Sequence, residues 1–133
     1  MKRLYTLADA NRVLNLVRTI AEEIVERRAM LRSQHRQRQL FENCRTPEGM
    51  TSTLANLDLR IREEEEAIAT CRVELEDLGM TVLRTNPLTV HIPGQSRSGS
   101  VVFCWEEGEE SVCFGHPVGE EEEPRRPLRL KAI

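Results

Sequence analysis

The chain has 133 residues, of which 39% are hydrophobic, 31% charged and only 4% aromatic, with a formal net charge of -3. That suits one domain burying roughly two thirds of its unfolded surface, and the shortage of aromatics fits long solvated helices better than an extensive sheet. No stretch approaches the ~18 apolar residues of a membrane span, and Thr6, Asp9, Asn11 and Arg12 interrupt any signal-peptide apolar run, so the reading is a cytoplasmic protein with no membrane partner.

The first element predicted is a helix from Thr6 to Arg45. Thr6-Leu7-Ala8-Asp9 fits a capping box with Asp in the third position. Leu7, Ala10, Val13, Leu14, Val17, Ile20, Ala21, Ile24, Val25 and Leu31 then recur at helical spacing, with Leu40, Phe41 and Cys44 after a polar gap, and neither proline nor glycine intervenes. Thr46-Pro47-Glu48-Gly49 ends it, and a second helix starts between Pro47 and Thr53. Leu54, Leu57, Ile61, Glu64, Ile68, Cys71, Leu75 and Leu78 form a heptad seam with one charged member, and Gly79 stands where a left-handed C-cap belongs. An antiparallel hairpin with its turn at residues 45–51 sets Leu78 opposite Val17 and leaves the start of the first helix to be covered by a sheet.

That sheet is expected from Met80–Thr85 and Leu88–Ile92, joined at Asn86-Pro87, with Leu83, Leu88, Val90 and Ile92 on one face. A flexible loop, 94–100, leads to a hairpin over Val101–His116 that turns at Glu107-Gly108-Glu109-Glu110. Pairing Glu107 with Glu110 sets Cys104 against Cys113, Phe103 against Phe114 and Val101 against His116. In this register Val101, Phe103, Trp105, Val112, Phe114 and His116 share the core face, and Cys104 and Cys113 form a reduced cross-strand pair outside. The four cysteines lack C-x-x-C spacing and read as packed thiols. The fold class is therefore α+β: a long antiparallel helical hairpin with a small antiparallel β-sheet at one end. It is a single domain over 1–133, divided into the hairpin (1–79), a β-meander (80–118) and an extended acidic, proline-containing tail (119–133).

Charge is unevenly spread. Residues 1–45 carry ten Lys/Arg against five Asp/Glu, and residues 46–79 three against nine. The facing order sets Arg32 opposite Glu63 and nearest Glu64, and Arg28 near Glu66 and Ala67. Ion pairs between helices therefore account for the basic run, which lacks the interleaved aromatics of a nucleic-acid surface. Surplus apolar positions on the first helix, among them Ile24, Val25, Leu31, Leu40 and Phe41, point to a homodimer through the helices.

Tyr5-Thr6-Leu7, Ala10-Asn11, Leu14, Leu78-Gly79, Pro93, Cys104-Trp105 with Gly108-Glu109, His116 and Arg125-Arg126-Pro127-Leu128 together resemble a bacterial domain-of-unknown-function family, number twenty-two zero three. That family usually shows Asp-Phe-Pro where this chain has His91-Ile92-Pro93, and Trp-His where it has Gly115-His116. The resemblance implies a fold and brings no activity.

Chemistry, if the chain performs any, belongs at the end of the sheet, where His91, Trp105, His116 and Arg125 are the candidate ligand-binding residues, with Glu109 beside them. His and Glu ligate metals and Arg clamps anions. On the expected hairpin, however, His116 and Glu109 lie roughly 16 Å apart at 3.3 Å per residue, so neither a metal nor another cofactor is expected and no catalytic residue is named. The function read from sequence is an oligomerising interaction or structural module with an unspecified protein partner. The alternative is a small-molecule or metal-dependent enzyme using His116 and Arg125.

Overall fold

The computed structural model describes residues 4–43, 50–97 and 99–128. Two helices, α1 (Leu7–Asn43) and α2 (Met50–Asp77), precede five strands: β1 (Thr81–Thr85), β2 (Leu88–Ser96), β3 (Gly99–Glu106), β4 (Phe114–Pro117) and β5 (Arg126–Pro127). The strands form one antiparallel meander in sequence order. The architecture is α+β, as the periodicities predict. The expected helix break at Thr46–Gly49, the helix end at Arg45 and Cys44 lie outside the described residues.

Local signals set the start of α1 and the end of α2. Thr6 Oγ1 accepts the Asp9 N–H at 3.1 Å, closing the first turn of α1. At the end of α2, Gly79 adopts φ 83, its N–H donates to Glu76 O, and the Met80 N–H donates to Leu75 O. That pair of bonds is a Schellman cap, which requires the left-handed conformation glycine tolerates. The predicted seam of α2 is buried or half-buried throughout. Its charged member, Glu64, is 6% exposed. Its partner is Arg27, whose Nη1 lies 3.2 Å from Glu64 Oε2, rather than Arg32, which is exposed. Arg28 likewise turns to the sheet, donating to Thr85 O and to Glu107, instead of to Glu66.

The sheet covers the proximal half of the hairpin. Ala10, Leu14, Val17, Ala21 and Ile24 of α1 and Cys71 and Leu75 of α2 share one core with Val82, Leu88, Val90, Ile92, Phe103, Trp105 and Val112. Ile24 is fully covered within the chain, which removes it from the surplus apolar set; Val25 and Leu31 are half-buried, and Leu40 and Phe41 stay exposed. Tyr5 fastens the segment before α1 to the sheet. Its N–H donates to Pro93 O, its carbonyl accepts from Gln95 N–H, and its hydroxyl donates to Leu78 O at 2.7 Å.

Four sheet expectations are corrected. The β1–β2 register shifts between Val82 and Arg84, so a bulge turns Leu83 out to 48% exposure and Val82 in. The residues expected as a loop at 94–100 continue the β2–β3 ladder out to Ser96 opposite Gly99. The stretch expected as a tail returns to the sheet as β5, with Gly115 opposite Arg126. The fourth correction concerns the hairpin after Glu106.

There, Cys104 faces Phe114 and Val102 faces His116, one residue out of step with the expected pairing. A tight turn does form at Gly108 (φ 93), with Glu109 N–H donating to Glu106 O. The chain then does not re-enter the ladder at Glu110. Val112 drops into the core, 2% exposed, its N–H held by Asn11 Oδ1 at 2.8 Å, and β4 begins only at Phe114. Because side chains alternate, the one-residue slip moves every residue of β4 to the opposite face. Phe114 and His116 therefore join Cys104 on the side away from the helices, and Cys113 is an exposed residue ahead of the strand, not the partner of Cys104.

Candidate metal centre on the outer face of the sheet

The slip assembles a site. His91 of β2 lies directly opposite Cys104 of β3, and Cys104 is two residues along the strand from Val102, which lies opposite His116 of β4. All three side chains therefore project from the same face of three adjacent strands. One ligand atom from each, two ring nitrogens and a sulfur, fall within 4.8 Å of one another. The two imidazole centroids are 5.1 Å apart and their planes are inclined at 56°.

All three residues are buried: His91 at 8%, Cys104 at 2% and His116 at 5% exposure. Among the described residues, neither His91 Nε2 nor His116 Nδ1 has a hydrogen-bond partner. An orphaned buried polar atom costs about 1–3 kcal/mol, and each imidazole of the cluster carries one. Burial pushes the His91 pKa down, with the neighbouring His116 charge adding to the effect, which favours the neutral imidazole over the charged one. Burial pushes the Cys104 thiol up, and Arg125 beside it works against that rise.

Arg125 arrives from the segment before β5. Its guanidinium lies 4.0 Å over the Phe114 ring, and it is paired with Glu109 at 2.7 Å and Glu106 at 3.4 Å. Two carboxylates thus occupy the donors an anionic ligand would need. Trp105 belongs elsewhere. It is on the helix-facing side of β3, 2% exposed, and its indole N–H donates to Glu109 O. It helps to line a cleft of about 710 Å³ with Arg18, Glu22 and Glu26 of α1, on the other face of the sheet from the two histidines.

Of the four residues singled out from sequence, the fold brings His91 and His116 together, sets Arg125 at the border as a neighbour of Cys104, and directs Trp105 away. The residue missed was Cys104. The signal that could have found it is the β2–β3 register: extending that hairpin to a two-residue turn at 97–98 puts Cys104 opposite His91.

Beyond His116, the chain turns between β4 and β5. Gly119 takes φ 92, Glu120 N–H donates to Pro117 O, and Glu123 N–H to Glu120 O. Within the run Glu120–Glu123 the neighbours are exposed and Glu121 alone is half-buried. Its Oε1 accepts the Gly119 N–H at 3.2 Å. Backbone N–H groups hold its carboxyl below the usual range, and the charges of His91 and His116 act in the same direction.

No helix among the described residues is long and apolar enough to cross a membrane. No curated protein and no solved structure matches the chain. Compared with conserved families, residues 3–128 match, a span that takes in both helices, all five strands and every member of the site, and the chain thus belongs to the family described as Uncharacterized conserved protein (DUF2203).

Proposed function

We propose that this protein binds one transition-metal ion through His91, Cys104 and His116. The observation that carries the reading is the convergence, within 4.8 Å, of a buried thiol and two buried imidazoles, each imidazole with a nitrogen that has no partner among the described residues. Tetrahedral zinc with bonds of roughly 2.0–2.3 Å holds its ligand atoms roughly 3.4–3.6 Å apart, so small side-chain adjustments bring the donors to bonding distance. Thiolate and imidazole select zinc, copper or cobalt and disfavour magnesium and calcium, which require oxygen shells. Binding expels the thiol proton, and the adjacent Arg125 guanidinium favours that loss. A cytoplasmic setting accords with this chemistry, since reducing conditions keep Cys104 a thiol.

The test is direct. Protein stripped with a chelator and dialysed should take up one zinc per chain. Cys104→Ser and His116→Ala should each lose it while keeping the circular dichroism of the parent. A stripped wild-type protein that takes up no zinc at micromolar concentration would remove the reading.

A second reading, self-association through the helices, is favoured by the far end of the hairpin. Leu40 is 65% exposed, Phe41 37% and Leu59 51%, and a groove of about 500 Å³ runs between the helices there, lined by Leu40, Phe41 and Leu57. A symmetric pairing of two hairpins would cover these residues. Light scattering tests it: a particle of twice the 15.3 kDa chain mass supports the dimer, and a monodisperse particle at the chain mass removes it.

A further inference from the structure

We infer that the ion this site is built for is copper in its cuprous state, Cu(I), held by His91, Cys104 and His116 alone. This rests on the proposed metal site and names its ion. Zinc is divalent and takes four ligands, whereas a soft monovalent ion is satisfied by three donors in a plane.

Coordination number is the first argument. Among the described residues, the group of mutually close donor atoms holds two ring nitrogens and one sulfur, with no carboxylate and no further imidazole or thiol. A four-coordinate ion would have to draw its last ligand from solvent at a place where the three residues are 8%, 2% and 5% exposed. A trigonal ion needs none. The sheet offers such a triangle, because the thiol comes from the middle strand and one imidazole from each strand beside it.

Charge is the second argument and stands apart from the first. One thiolate and two neutral imidazoles carry a single negative charge, which a monovalent ion cancels and a divalent ion overshoots. The overshoot would be a buried positive charge, costly when nothing compensates it. Glu106, two residues along β3 from Cys104, is committed elsewhere: it lies 3.4 Å from Arg125 and 3.8 Å from Arg84, and Glu109 lies 2.7 Å from Arg125. Softness points the same way, since thiolate is among the ligands that select Cu(I). Binding is a plain exchange. Cys104 gives its proton to solvent, a sulfur–copper bond forms, and no electron moves.

The test titrates Cu(I), kept reduced with ascorbate under nitrogen, into the full chain against a colorimetric Cu(I) chelator, with zinc titrated in parallel. Wild type should take one Cu(I) per chain at least about 100-fold more tightly than zinc. Cys104→Ser should lose this site, whereas Cys113→Ser, which removes an exposed thiol, should keep it. X-ray absorption should find one sulfur and two nitrogens around copper, and an additional light-atom ligand around zinc. The charge argument has its own readout: His116→Asp adds an anionic donor and should shrink the preference for copper over zinc by about 10-fold or more. Zinc bound as tightly as Cu(I), a four-coordinate copper centre, or an unmoved preference in His116→Asp overturns the inference and leaves the three-residue metal site standing. Copper retained by Cys104→Ser overturns it as well, since the ion then sits on another thiol. If wild type binds neither ion, the site itself fails.

Discussion

Arg28, one turn of α1 beyond the core residue Ile24, and Glu107, in the turn after β3, are joined by two hydrogen bonds of 2.6 and 3.2 Å, and the same carboxylate accepts the Leu88 N–H at 2.7 Å. One side chain thereby links helix, first sheet turn and second sheet turn. Arg28 is the main cause holding the Glu107 carboxyl below its usual value of 4.5, with the Leu88 N–H adding to it. A carboxyl depressed in the folded state contributes stability above its unfolded pKa and loses it as pH falls through the folded one. Urea unfolding should show this contribution intact at pH 7 and shrinking once pH drops below about 4.5. Glu107→Gln should cost about 1–3 kcal/mol at pH 7 and flatten that part of the profile; an unchanged profile would show that the acid sensitivity lies elsewhere.

Glu64 is a charge set into an apolar seam, paired with an Arg27 whose side chain is 37% exposed. Replacing such a carboxylate with a hydrophobe of similar size is often neutral or stabilising, whereas removing it without filling the space is not. Glu64→Leu should hold or raise the thermal midpoint and Glu64→Ala should lower it. A loss of several kcal/mol in Glu64→Leu would show that the carboxylate performs a task beyond this pair.

The Tyr5 hydroxyl is the partner that satisfies Leu78 O past the end of α2. Tyr5→Phe keeps the ring and orphans that carbonyl, and should cost about 1–2 kcal/mol in denaturant unfolding without altering zinc uptake. A cost near zero would mean that water takes over the bond.

Gly94 lies under the Phe103 ring: a Cβ there would stand 2.3 Å from Phe103 Cε2. Gly94→Ala should therefore cost about 1–3 kcal/mol through overpacking. The cost should largely disappear in a Phe103→Leu background, and a double-mutant cycle measures that coupling. Additive effects would place the strain in the backbone instead.

The helices were readable because their evidence is local. A 3.6-residue period, Thr6 at one end and Gly79 at the other are each contained within a few residues, and the facing order of the hairpin set the right region of α1 against Glu64, missing its partner by little more than one turn. The sheet was readable as strands and misread as faces. Nothing near Gly108 announces that Asn11, on a distant helix, holds the Val112 N–H, yet that bond accompanies the extra residue that turns His116 outward. The candidate site inherited the same difficulty. Its three members come from three strands, and a parity error in one register separates them, so His91 and His116 could be named as candidates while Cys104 was assigned to a different pair.

The clasp made by Tyr5 with Pro93 and Gln95 also orders events during synthesis. Tyr5 leaves the ribosome well before its partners Pro93 and Gln95. The helical hairpin is complete before any of the sheet exists, with the stripe from Ala10 to Ile24 uncovered for as long as it takes to make β2 and β3. The nascent chain thus passes through an interval in which its future core is its most adhesive surface, and the interval ends only when the β2–β3 ribbon docks and its edge receives Tyr5.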